Sequence, residues 1–139
     1  MTKIIQEKYD IGDIVYVSEY NYTENKTGDS HLFVIIGDDN QFIPLEYFGL
    51  IVSSHREKSK ENSEYKYNEP LNKDAINNLK SDSIVKCDKL YQIFKSNVQF
   101  KIGTVDVDDF FRFINAYDDF IQATDKAIEK ETVNSWTCQ

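Results

Sequence analysis

Residues 31–37 read His-Leu-Phe-Val-Ile-Ile-Gly, an almost unbroken apolar run closed by a glycine. So short a run, rich in β-branched and aromatic types, predicts a buried strand and is too brief for a helix. Asp38-Asp39-Asn40 supplies a tight turn straight after it, and Gln41–Leu45 is expected to return as its hairpin partner. Upstream, residues 11–19 (Ile-Gly-Asp-Ile-Val-Tyr-Val-Ser-Glu) carry a Gly-Asp turn signal and then a β-prone stretch, which predicts a first strand. The polar residues 20–30 between them read as a loop. Downstream, residues 46–54 climb again through Tyr-Phe-Gly-Leu-Ile-Val-Ser-Ser, and Gly49 within them suggests a bulge or sharp coil in a small barrel.

The rest of the chain extends this pattern. Residues 55–63 are polar throughout and read as a long loop, and Tyr65 and Tyr67, alternating with Lys66, suit a short edge strand. Residues 72–80 look like a short helix. Ser83–Cys87 and Leu90–Phe94 read as two strands joined at Asp88-Lys89, and Lys101-Ile102-Gly103 as a turn. From Asp106 the period changes: Val107, Phe110, Phe111, Ile114, Tyr117 and Ile121 recur at three- and four-residue spacing, the stripe of an amphipathic helix. Asp106, Asp108 and Asp109 crowd its start, where they complement the helix dipole. The expected architecture is mainly β with helices (α+β). It is a small barrel of six or seven strands over about residues 10–105, with a short inserted helix. An amphipathic helix covers about 106–130 and a fraying tail 131–139. At 139 residues, one domain is the natural count.

Composition narrows the function classes. Forty per cent hydrophobic and 29% charged residues exclude a disordered or collagen-like chain. No stretch approaches the roughly 20 apolar residues of a membrane helix. The first residues, Met-Thr-Lys-Ile-Ile-Gln-Glu-Lys, are too charged for a signal peptide. Two cysteines, Cys87 and Cys138, make no disulfide framework, so a cytoplasmic protein with reduced thiols is expected. Net charge is −8, which argues against a polyanionic partner, but it is uneven: −6 over residues 1–49, +3 over 50–101 and −5 over 102–139. Only the lysine-rich middle can attract a nucleic acid, and a solvated surface would read the same way. Two histidines without Cys-x-x-Cys or His-x-x-x-His spacing make a poor zinc site. The acidic pairs Asp38-Asp39, Asp108-Asp109 and Asp118-Asp119 read as turn and helix-surface residues, Cys87 reads as an inert core thiol, and there is no glycine-rich phosphate loop. No metal and no cofactor are expected.

Five blocks, in order, resemble a known family. Gly12-Asp13-Ile14-Val15 and then His31-Leu32-Phe33-Val34-Ile35-Ile36 resemble the first two strands of the MazF/PemK/Kid toxins, and Leu50-Ile51-Val52-Ser53-Ser54-His55 follows at the right distance. Leu79-Lys80-Ser81-Asp82-Ser83-Ile84-Val85 resembles the family's Asp-Ser-Val-Val strand start. Tyr91-Gln92-Ile93-Phe94-Lys95 and Lys101-Ile102-Gly103-Thr104-Val105 resemble the blocks after it. The resemblance spans about residues 10–122 and implies an SH3-like, PemK-type barrel. It further implies a mostly metal-independent endoribonuclease, an antitoxin of protein or RNA, and the family's habit of forming a homodimer. At the family's catalytic Arg-Pro this chain has His31-Leu32, and at its catalytic hydroxyl it has Ser53, followed by Ser54 and His55.

Both histidines of the chain thus fall at the family's two site positions. Cleavage of RNA by its own 2′-hydroxyl needs a base, an acid for the departing 5′-oxygen, and positive charge for the phosphorane. Histidine's ordinary pKa of about 6.5 suits both proton transfers. His31 and His55 are the candidate base and acid, and Ser53 the candidate hydrogen-bond donor to a phosphate oxygen. Ser54, Arg56, Lys58 and Lys60 are candidates for phosphate binding, and Tyr20, Tyr22, Tyr65 and Tyr67 for stacking single-stranded bases. Strand-end serines that satisfy backbone groups, and a solvated lysine loop, are the plain structural alternatives. The expected function is a toxin of a toxin–antitoxin system that cuts single-stranded RNA without metal. The alternatives are a non-catalytic binding module of a mobile element or phage that uses the same groove, and a barrel that only mediates assembly.

Overall fold

A computed structural model describes the backbone of residues 8–18, 20–23, 26–28, 31–54 and 65–137, and the side chains of 8–18, 31–54 and 65–125. Among these residues nine strands form one antiparallel sheet: β1 Asp13–Val17, β2 Tyr20–Thr23, β3 Lys26–Gly28, β4 His31–Asp38, β5 Glu46–Ser53, β6 Asn68–Leu71, β7 Ser83–Lys86, β8 Tyr91–Phe94 and β9 Val98–Thr104. Among the described residues one α-helix, α1 Val107–Thr137, follows them. The hydrogen-bonded path runs β3-β2-β8-β5-β4-β1-β9, and β7 joins β5 and carries β6 outside it. The expected class, mainly β with a C-terminal helix, is what the chain adopts. The sheet does not close into a ring, however, since no ladder joins β9 to β3 among the described residues. Among the described residues seven strands make the main path, as expected, and β6 and β7 branch from it.

The sheet forks at β5. Glu46–Gly49 pair with β8, whereas Val52 and Ser53 pair with β7. Gly49 sits where the ladder to β4 shifts register, between Ile35 and Gly37. A Cβ at Gly49 would lie 2.9 Å from Ile93 Cδ1 and 3.1 Å from the Val34 carbonyl oxygen, so the close crossing there needs a glycine. The expected bulge is present, with the extra residue on β4 opposite the glycine.

Strands β1, β4 and β5 bury side chains on both faces. Ile14, Val34, Leu50 and Val52 pack on one side with Leu71, Leu79, Val85, Val105 and, from α1, Phe113. Val15, Val17, Phe33, Ile35, Ile51, Tyr47 and Ile93 fill the other side, closed by Tyr9, whose N–H donates to the Tyr47 hydroxyl at 2.9 Å. Two apolar clusters, one on each face, explain why 31–37 shows no polar alternation.

Several local expectations change. Residues 20–30, read as a loop, contain β2 and β3, whose strands pair with each other. Gln41–Leu45 is not a strand: Asp39 accepts hydrogen bonds there from the N–H groups of Gln41, Leu45 and Glu46, and β4 pairs with 46–53 instead. The edge strand placed at Tyr65 and Tyr67 starts only at Asn68. Lys101-Ile102-Gly103 lies inside β9, and α1 continues to Thr137 through most of the expected tail.

The inserted helix at 72–80 is absent because side chains take its backbone bonds. Asp74 Oδ1 accepts from the N–H of Ile76 (2.8 Å) and Asn77 (2.7 Å). Asn77 Oδ1 accepts from the N–H of Asp74 and Leu79, both at 3.0 Å, and its amide donates to the Asn72 carbonyl. Such local bonds compete with helix formation, and Asn78 then turns the chain at φ 56°.

Candidate active site

The segment held by Asn77 forms one wall of a cleft of about 460 Å³. Asn78, Leu79, Lys80, Ser81 and Ser83 line this wall. It is clamped to β9: Thr104 N–H donates to the Ile76 carbonyl at 3.1 Å, and Asn78 Nδ2 donates to the Ile102 carbonyl at 2.8 Å. The approach is so close that a Cβ at Gly103 would lie 2.4 Å from the Asn77 carbonyl oxygen.

The floor is a row across four strands. Phe100 pairs with Tyr16, Tyr16 with Leu32, and Leu32 with Val52. Directly paired residues point to the same side of a sheet, so the four side chains stand together, and all four line the cleft. The Tyr16 and Phe100 rings stack at 5.1 Å with planes 13° apart.

His31 and Ser53, at the adjoining ends of β4 and β5, line the same cleft, as does Ser54. His31 is half-buried, its Nδ1 accepts the Leu32 N–H at 3.1 Å, and its ring meets Phe33 edge-on at 6.3 Å. With Nδ1 an acceptor, the neutral ring carries its proton on Nε2. Ser53 is almost fully buried and Ser54 exposed. The other candidates are not gathered here. His55, Arg56, Lys58 and Lys60 lie outside the described residues, and the Tyr20 and Tyr22 side chains also lie outside them. Tyr65 lines a separate, smaller cleft with Asn68, Lys86, Asp88, Lys89 and Tyr91. Tyr67 packs edge-on against Phe120 of α1 at 5.4 Å, with Lys66 over its ring.

Two further groups bear on the chemistry. Arg112, the one arginine among the described residues, is committed elsewhere, bonded to Glu69, Asp109 and the Pro70 carbonyl. Burial pulls against its charge, but the two carboxylates outweigh that and hold the guanidinium above its usual pKa. Cys87 is buried, and burial, aided by the charges of Glu69 and Asp88, pushes its thiol far above the usual range, so it is no nucleophile. Among the described residues, carboxylates of Asp74, Asp106 and Asp109 lie within 4.8 Å of one another. Each already accepts a local hydrogen bond: Asp74 in its turn, Asp106 from the Asp109 N–H, and Asp109 from Arg112. None of the three lines the cleft.

The profile of the PemK-like, MazF-like toxins of type II toxin–antitoxin systems matches residues 10–116. The chain belongs to this toxin family. Among solved structures, the PemK-like fold is similar to the Mycobacterium tuberculosis toxin MazF-mt6, with a TM-score of 0.55 and 13% identity. The match covers 79% of this chain and 96% of that one. At that identity the likeness carries the fold. Comparison with curated protein sequences returned no match. No described helix of this PemK-like chain is long and apolar enough to cross a membrane.

Of the residues that the resemblance singles out, His31, Ser53 and Ser54 line the cleft. Tyr16, Phe100 and Asn78 line it too without any signal in the sequence that marks them as site residues, and Lys80 stands in the sequence only as part of a family block. Tyr16 stands two residues after Ile14 on the first strand, but the row that makes it floor depends on registers with β4 and β9.

Proposed function

We propose that this PemK-like toxin is a cytoplasmic endoribonuclease that cuts single-stranded RNA by attack of the 2′-hydroxyl on the adjacent phosphorus, without a metal ion. A protein antitoxin, the partner that the type II description implies, restrains it. The observation that carries the reading is the meeting of His31, Ser53, Ser54 and Lys80 in one cleft over an aromatic and aliphatic floor. In the reaction the 2′-oxygen–phosphorus bond forms and the phosphorus–5′-oxygen bond breaks. One histidine takes the 2′-hydroxyl proton and the other gives a proton to the leaving 5′-oxygen, with His31 and His55 in these two roles. Ser53 donates to a non-bridging oxygen, while Ser54 and Lys80 bring hydrogen bonding and positive charge. Arg56, Lys58 and Lys60 follow the site closely in sequence and hold flanking phosphates. Pairing of two copies, the family's habit, belongs to the same reading.

The test is incubation of the purified protein with single-stranded RNA in excess EDTA, with analysis of the new ends. Fragments ending in 2′,3′-cyclic phosphate and 5′-hydroxyl support the reading, and activity that vanishes with chelator and returns with Mg²⁺ overturns the metal-independent part. One observation favours the second reading, a binding module without catalysis: no arginine lines the cleft among the described residues. RNA that is bound and left intact decides for it.

A further inference from the structure

Most of the apolar side chains at the cleft are accounted for by packing, but the outer end of its floor is not. Leu32 packs against the cluster that faces α1, and Val52 belongs to it. Phe100, by contrast, is 52% exposed and keeps its ring parallel to that of Tyr16. This half-wet pair lies one and two strands beyond β4, whose first residue is His31. Neighbouring strands are about 4.8 Å apart, so the pair stands about 5–10 Å from the histidine's strand.

Resting on the nuclease reading of the same cleft, we propose that Tyr16 and Phe100 form the platform on which the base beside the cut phosphate of single-stranded RNA stacks. A flat ring left in water at the mouth of a polar-walled cleft suits an unpaired base, because every base offers a π-face. Tyr16 and Phe100 line the same cleft as His31, Ser53 and Lys80, so a stacked base and its phosphate would share one site. A cross-strand aromatic pair also steadies a sheet. The discriminating readout is therefore one that sheet stability does not move.

That readout is the response to a missing base. Single-stranded 2′-O-methyl RNA, which cannot be cut, is titrated with wild type, Phe100→Leu and Tyr16→Leu, with an abasic site moved along the strand. Circular dichroism and thermal melting establish that the variants are folded. Wild type is expected to lose affinity most at one abasic position. Each leucine variant should bind the intact strand about 5- to 150-fold more weakly, the range for truncating one stacking partner, and lose that positional penalty. Folded variants that bind as wild type does, or keep the penalty, overturn the platform. Cleavage of unmodified RNA is followed in parallel. If wild type binds with the positional penalty but does not cut, the nuclease reading falls and the platform stands. If it cuts, and the variants bind RNA like wild type, the platform falls and the nuclease stands. If it binds no RNA and the variants instead lose affinity for the antitoxin, the surface is a protein contact and both readings fall.

Discussion

In the proposed nuclease, His31 takes the position that the family resemblance gives to a catalytic arginine, and a histidine can give up its proton where an arginine cannot. His31→Ala is expected to slow RNA cleavage by roughly 10²–10⁴-fold, the worth of one positioned acid or base. It should leave the fold intact, since the half-buried ring ends a strand and is no core residue. His31→Arg restores positive charge and removes the titration. It should keep partial activity with a flatter profile between about pH 5 and 8. Single-turnover rates across that range check both, and unchanged rates in a folded His31→Ala protein would make the histidine a mere strand-end residue. At this scale the sequence was informative wherever a residue type is rare. His31, one of two histidines among 139 residues, draws the eye to the cleft, whereas Tyr16 and Phe100 are two of eighteen tyrosines and phenylalanines, and only registers single them out.

Elements were legible where periodicity decides them. The run 31–37, the strands around 13–17 and 83–86, and the stripe of α1 all lie close to where the pattern put them. The pattern failed where polar side chains replace backbone bonds, as at 39–46 and 72–80. The first of these segments should respond to acid. Slight burial pushes the Asp39 carboxyl up, but N–H donors from Gln41, Leu45 and Glu46 together outweigh it and hold the pKa below the usual value. A carboxylate depressed on folding contributes its full stabilisation above its ordinary pKa and loses it as pH falls through the lower folded value. The protection of the Leu45 and Glu46 amides, measured against their intrinsic exchange rates at each pH, should therefore fall below about pH 4, and Asp39→Asn should weaken that pH dependence; hydrogen exchange reads both. The second segment rests on Gly103. In Gly103→Ala the new methyl meets the Asn77 carbonyl, a backbone atom, so the 76–81 wall must shift. The expected cost is roughly 1–3 kcal/mol, measured by denaturant unfolding, with a larger fractional loss of RNA cleavage than of helix signal.

For the whole molecule, the proposed RNA substrate runs against the sign of the net charge, while the distribution of charge favours it: Lys80 at the cleft comes from the one positive third of the chain. The open path of the sheet was not legible, because closure depends on whether β9 and β3 meet, and neither carries a pattern that says so.

The burial of β4 on both faces has a price before folding is complete. Its Leu32–Gly37 stretch has no charge and no proline, and its β-branched and aromatic side chains are covered only once β1 and β5 lie alongside. Until then it meets the description of a segment that adds to copies of itself. A peptide of residues 31–37 should form fibrils that bind thioflavin T, and Ile35→Lys in that peptide should suppress them. Refolding of the full chain from denaturant should lose yield as protein concentration rises, with light scattering as the measure. The strand that brings His31 to the cleft is then also the one most in need of shelter on the ribosome.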